Sequence, residues 1–127
     1  MSFEQGDNKL IYFYGHKNIY SLLRWIFKDQ LKRFKLRQFD MKQGSQKPFN
    51  ADEIPDFLIL DVSVLKKNTL KYIQELLNIK PSVKIILIVS SITKSEVIEI
   101  IRADVVIGII LQPFTGETIY QYLNKLP

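Results

Sequence analysis

The chain has 127 residues, 46% hydrophobic and 24% charged, which suits one soluble domain with a core of ordinary size. It contains no cysteine, which excludes disulfides and thiolate metal sites, and its formal net charge is +5. No apolar run approaches the ~20 residues that a membrane span needs, and residues 1–8 are polar and lack the pattern of a signal peptide.

Residues 9–14 (KLIYFY) are aromatic and β-branched and read as a first strand. Gly15 to Asn18 form a turn, with Asn18 as the expected N-cap of a helix carrying Ile19, Leu22, Leu23, Ile26 and Phe27 on one face. Phe34 and Leu36 then alternate with Arg33, Lys35 and Arg37, a strand with one charged face, and the alternation slips at Gln38 and Phe39. Residues 41–55 hold Gly44, Ser45, Gln46, Pro48 and Asn50 and read as a loop, with at most one helical turn near 51–54.

Phe57-Leu58-Ile59-Leu60-Asp61 is a short apolar run that ends abruptly in a carboxylate. Such a run reads as a strand buried on both faces. Its terminal aspartate stands where open α/β sheets place ligand chemistry, and it is equally placed to cap whatever helix follows. Leu65, Leu70, Ile73, Leu76 and Leu77 mark the next helix, stopped before Pro81, and 83–89 (VKIILIV) is a further buried strand. Thr93 with Glu96 makes a capping box for a helix bearing Val97, Ile98, Ile100 and Ile101. A fifth strand is expected over 105–111, and Thr115 opens a last helix with Ile119, Tyr120, Leu123 and Leu126.

Strands alternating with helices imply right-handed crossovers and a doubly wound parallel sheet. Five strands suit the flavodoxin-like order 2-1-3-4-5, an α/β fold with helices on both faces of the sheet. That order puts the basic second strand at an edge. Lys28, Lys32, Arg33, Lys35 and Arg37 crowd there, and cations on an edge strand block unwanted sheet-to-sheet pairing. No nucleic-acid motif accompanies them, so nucleic acid is not expected as a partner.

In this architecture the turns after strands one, three, four and five meet in one crevice. It gathers Gly15 and His16, Asp61 and Ser63, Ser90 and Ser91, and Gln112, with Asp61 as the only carboxylate. A Ser90-His16-Asp61 triad has no nucleophile elbow to support it, so the chain is not expected to be an enzyme. The single glycine of 14–18 does not make a phosphate-cradling loop.

With Pro113 and Phe114 following, this set resembles the receiver domain of two-component response regulators, over essentially the whole of 9–126. The resemblance implies a tail at 1–8 and a receiver-like domain at 9–127. It makes Asp61 the match for the phosphoacceptor aspartate and Ser90 the match for the switch hydroxyl at the end of strand four. Gln112 stands at the usual lysine position. Gly15 and His16 replace the acidic pair that holds Mg²⁺, Val64-Leu65 the Met-Pro pair, Thr69 a glycine, and Ile109 the aromatic switch residue. The pattern is that of an atypical, degenerate receiver.

Mg²⁺ wants near-octahedral oxygen ligands, usually with one or two carboxylates. Asp61 with the carbonyl of Ser63 and water would make a weak site, so no cofactor is firmly expected. The resemblance implies a cytoplasmic phosphorelay component that accepts a phosphoryl group on Asp61 from a histidine kinase, or else a phosphorylation-independent module that binds other signalling proteins. It also implies a partner surface, including a homodimer, through residues 93–126, where Ile98, Ile101, Tyr120 and Tyr122 extend an apolar patch or else fill the core. Because a buried, unpaired charge is costly, the side chain of Lys17 or His16 is expected beside Asp61 as a substitute for the missing cation.

Overall fold

The computed structural model describes residues 9–30, 33–39, 54–65, 69–89 and 94–123. Its elements are β1 (Lys9–Tyr14), α1 (Lys17–Gln30), β2 (Phe34–Gln38), β3 (Phe57–Asp61), a 3₁₀ turn (Val62–Val64), α2 (Thr69–Ile79), β4 (Lys84–Val89), α3 (Lys94–Ala103), β5 (Gly108–Leu111) and α4 (Gly116–Leu123). All strand pairs are parallel and the order is β2-β1-β3-β4-β5. The expected topology is the observed one, with the basic strand at an edge. The tail at 1–8, all of the expected helical turn near 51–54 except Ile54, and the capping threonine Thr93 lie outside the described residues.

Alternation along the central strands explains why they read as unbroken apolar runs. Ile59, Ile86 and Ile88 join Leu23, Ile26 and Phe27 of α1 and Ile119 and Leu123 of α4 in a core on one face of the sheet. Leu58, Leu60, Ile85, Leu87 and Val89 join Ile73 and Leu76 of α2 and Ile100 of α3 on the other. Burying a side chain of this size contributes about 1.5–3 kcal/mol, so both faces of β3 and β4 are fixed by the apolar layers they separate.

Three local expectations are corrected. Helix α1 begins at Lys17, its first turn closed by Tyr20 N–H donating to the His16 carbonyl at 3.0 Å, so Asn18 lies inside the helix and is not its N-cap. Leu22 is exposed although Leu23, Ile26 and Phe27 are buried, because the stripe that meets the sheet is narrower than the apolar arc. Strand β5 starts at Gly108 and not at Val105. The chain leaves α3 through Asp104 in the left-handed region (φ 53°), a conformation aspartate tolerates better than most residues. Val105 and Val106 then pack on the α2–α3 core before Ile107 N–H reaches the Ile85 carbonyl at 2.8 Å. The last helix opens as read: Thr115 Oγ1 accepts from the Thr118 amide at 3.3 Å.

Candidate functional site

Asp61 ends β3 and is 1% exposed. A carboxylate so deeply buried requires donors, and each oxygen has them. Oδ1 accepts from the Ser63 amide at 3.1 Å and from Ser63 Oγ at 2.6 Å, while Oδ2 accepts from the His16 amide at 3.1 Å. The first pair caps the 3₁₀ turn that follows β3. The bond to His16 ties that turn to the turn after β1, which lies 45 residues earlier.

Gly15 makes this tie sterically feasible. A Cβ built there would run into Asp61 Cβ and the Phe13 ring, and would stand 2.9 Å from Asp61 Oδ2. Glycine is therefore required by close approach, at one of the two positions where the receiver pattern carries an acid.

The expected substitute cation is not observed. His16 and Lys17 are both exposed, and the ion pair found among the described residues joins Lys80 to Asp56 at 2.7 Å. What reaches Asp61 is the backbone amide of His16, not its side chain. The physical reason is geometric. Helix α1 starts at Lys17, so its first free amides point back at the end of β3 while the side chains turn outward. A backbone N–H carries no residue-type signature, so nothing in the letters GHK announces this contact.

Of the other expected site residues, Gln112 lies at the carboxyl end of β5, its amide donating to the Val89 carbonyl at 2.8 Å, and the Gln112–Pro113 peptide is cis. Its side chain is not among the donors to Asp61. Ser90 and Ser91 lie outside the described residues. Ser63, whose carbonyl the sequence offers as a weak metal ligand, donates both its amide and its hydroxyl to Asp61. The described residues do not fit Mg²⁺: Asp61 has both oxygens engaged by protein donors, and Gly15 has no room for a side chain. Among the described residues no group of three or more His, Cys, Asp or Glu is placed to hold a metal ion.

A second feature lies on the α3–β5–α4 side. Ile98, Ile101, Ile107, Leu111 and Tyr120 are exposed there, Leu111 by 63%. Ile101, Ile107 and Leu111 line a groove of about 460 Å³ between α3 and β5. Of the patch expected from the sequence, Ile98, Ile101 and Tyr120 are on the surface. Tyr122 is half-buried: its hydroxyl donates to the Ile109 carbonyl at 3.1 Å, and its ring lies against Gly108, where a Cβ would collide with it. The pair Gly108–Tyr122 went unrecognised in the sequence, and a glycine at the head of an otherwise apolar strand was its signal.

No family model matches the chain, and no curated protein matches it in sequence. Solved structures do match the fold. A CheY-like receiver domain protein from Methanospirillum hungatei aligns with a TM-score of 0.70 at 12% identity, covering 92% of this chain and 91% of that one. A response regulator from Thermotoga maritima aligns at 0.68 and 13% identity, covering 93% and 96%. A putative pilus assembly-related protein from Burkholderia pseudomallei aligns at 0.71 and 18% identity, covering 98% and 92%. The chain therefore has the receiver fold, a five-stranded flavodoxin-like sheet in the order observed here.

Proposed function

We propose that this chain is a receiver-fold signalling module that acts by binding other proteins without phosphorylation of Asp61. One observation carries the reading: Asp61 is 1% exposed, with both oxygens held by the amides of His16 and Ser63 and the Ser63 hydroxyl. Phosphoryl transfer depends on positioning and on neutralising charge on the phosphoryl oxygens. Here the nucleophile is capped, the flanking acid is Gly15, and the lysine position is Gln112. Asp61 works as a tie between two turns.

On this reading the module is cytoplasmic, not an enzyme, and needs no cofactor. Its partners are a histidine kinase or other signalling proteins, met through the exposed apolar face of α3, β5 and α4 or through a homodimer across residues 93–126. The structural neighbours suit that range, since they include proteins named for pilus assembly as well as response regulators.

The second reading, a phosphorelay receiver with Asp61 as phosphoacceptor and Ser90 as switch hydroxyl, is favoured by the place of Asp61 at the carboxyl end of β3 in this fold. Intact-mass analysis after incubation with a small phosphodonor and Mg²⁺ separates the two. The expected result is an unchanged mass for both the native chain and Asp61→Asn. A phosphoryl-sized gain that disappears in Asp61→Asn would establish the second reading and overturn the first.

A further inference from the structure

The opposite edge of the sheet carries a different kind of site. Between α1 and β2 runs a groove of about 430 Å³ lined by Arg24, Phe27 and Lys28 of the helix and by Phe34, Lys35, Leu36 and Arg37 of the strand, so that four cations gather along this edge. All four cations are exposed. The ion pair found among the described residues lies elsewhere, between Lys80 and Asp56, so none of the four has a carboxylate partner there.

Among the described residues the backbone of β2 is equally uncommitted on one side. Phe39 N–H donates to the Phe13 carbonyl at 2.7 Å, which fixes the parity of the strand. Residues 35, 37 and 39 turn their amides and carbonyls toward β1. Those of Phe34, Leu36 and Gln38 turn the other way, to the edge, since successive residues of a strand alternate. No strand among the described residues lies beyond β2.

We infer that this edge is a docking site for an extended acidic segment of a partner protein, which pairs with β2 as a sixth strand. Both the backbone and the charges point to that occupant. Phe34, Leu36 and Gln38 offer N–H donors and C=O acceptors in alternation, and a polypeptide strand answers both. A nucleic-acid backbone brings phosphate acceptors and would leave the carbonyls unmatched. A second copy of β2 would bring Lys35 and Arg37 against their own kind, so the charges that deter self-pairing select an acidic strand. Phe34 and Leu36 belong to the α1-side core, which places Lys35 and Arg37 on the other face of the sheet. An added strand therefore meets Arg24 and Lys28 on one face and Lys35 and Arg37 on the other, so a run of consecutive acids suits it better than acids at every second position.

The test uses the full chain and a fluorescein-labelled peptide of Glu, Asp, Val and Thr about as long as β2. Beside it run a peptide of the same length and charge with prolines at alternate positions and a single-stranded oligonucleotide of similar charge. Anisotropy should show binding of the first peptide that weakens with added salt. The proline peptide should bind at least about tenfold more weakly, because it cannot supply the ladder. Native-chain hydrogen exchange gives a readout that needs no variant. On peptide addition the amides of Phe34, Leu36 and Gln38 should slow by about tenfold or more, while those of Lys35 and Arg37, already facing β1, stay as they were. Lys35→Glu with Arg37→Glu should abolish both effects, with circular dichroism to confirm the fold. Equal binding of the proline peptide, tighter binding of the oligonucleotide, or unchanged exchange at Phe34, Leu36 and Gln38 would each overturn the inference.

Discussion

The crevice around Asp61 and the groove along β2 handle charge in opposite ways. In the crevice a single carboxylate is almost wholly buried, and neutral donors from two turns satisfy it. Along the β2 edge four cations are exposed, and no described acid pairs with any of them. The place where this fold invites chemistry is closed and electrically settled, while the place where the sequence suggests only protection against aggregation keeps an unanswered field. A buried charge without partners would destabilise the fold by several kcal/mol, so it is resolved internally. An exposed charge costs little, so it is free to serve recognition.

The contrast breaks most sharply at Gly15. Gly15→Ala forces a methyl into Asp61 and the Phe13 ring, and overpacking of this kind costs about 1–3 kcal/mol or more. Chemical denaturation should show that loss, with the midpoint lowered and the slope unchanged. Asp61→Asn is next. Its amide can keep one oxygen toward Ser63, but it then turns an NH₂ group toward the His16 N–H, now a donor facing a donor. A loss of about 1–3 kcal/mol is expected from that unsatisfied pair, measured in the same titration. A stability gain in Asp61→Asn would show that the charge is strained in place and not settled.

The buried side of the comparison extends to Tyr72. Desolvation pushes its phenol well above the ordinary value of 10.0, with Tyr14 and Glu75 adding to the effect. The neutral phenol is thus favoured in the fold, and its contribution is complete below pH 10.0. Above that pH the unfolded chain releases the proton while the folded chain keeps it, so stability falls as pH rises. Thermal melts across alkaline pH should show a steeper decline for the native chain than for Tyr72→Phe.

The smallest effect belongs to the groove. Lys35→Glu and Arg37→Glu should each change stability by no more than about 0.5 kcal/mol, since both side chains are exposed and have no carboxylate partner among the described residues. Loss of acidic-peptide binding with no change in the melting curve would sharpen the distinction between the two regions. A large destabilisation would place the groove cations among the structural charges and erase it.

Much of this architecture is legible in the letters. Wholly apolar runs at 57–60 and 85–89 read as strands with a layer on each face, and the alternation of Phe34 and Leu36 with charged residues reads as a strand with one face exposed. The order of elements then leaves few topologies, and the charge on the second strand selects the one that puts it at an edge. The place of Asp61 at a strand terminus follows from the same reasoning. These features are encoded by which side chains are apolar and at what period, and that is what a sequence states directly.

Tertiary structure alone decided what Asp61 meets. Lys17 and His16 offered charge in the sequence, yet the contact is made by a backbone amide brought across from the β1–α1 turn, and every residue but proline owns such a group. The same holds for Gly15, whose need for no side chain exists only because Asp61 stands against it, and for Leu22, left outside by the width of the helix–sheet contact. It holds also for the edge of β2, where the parity set by the Phe39–Phe13 bond determines which amides face outward. Side-chain pattern fixes which face of each element is buried. The partners of backbone groups depend on how the elements are placed against one another, and only the assembled fold specifies that.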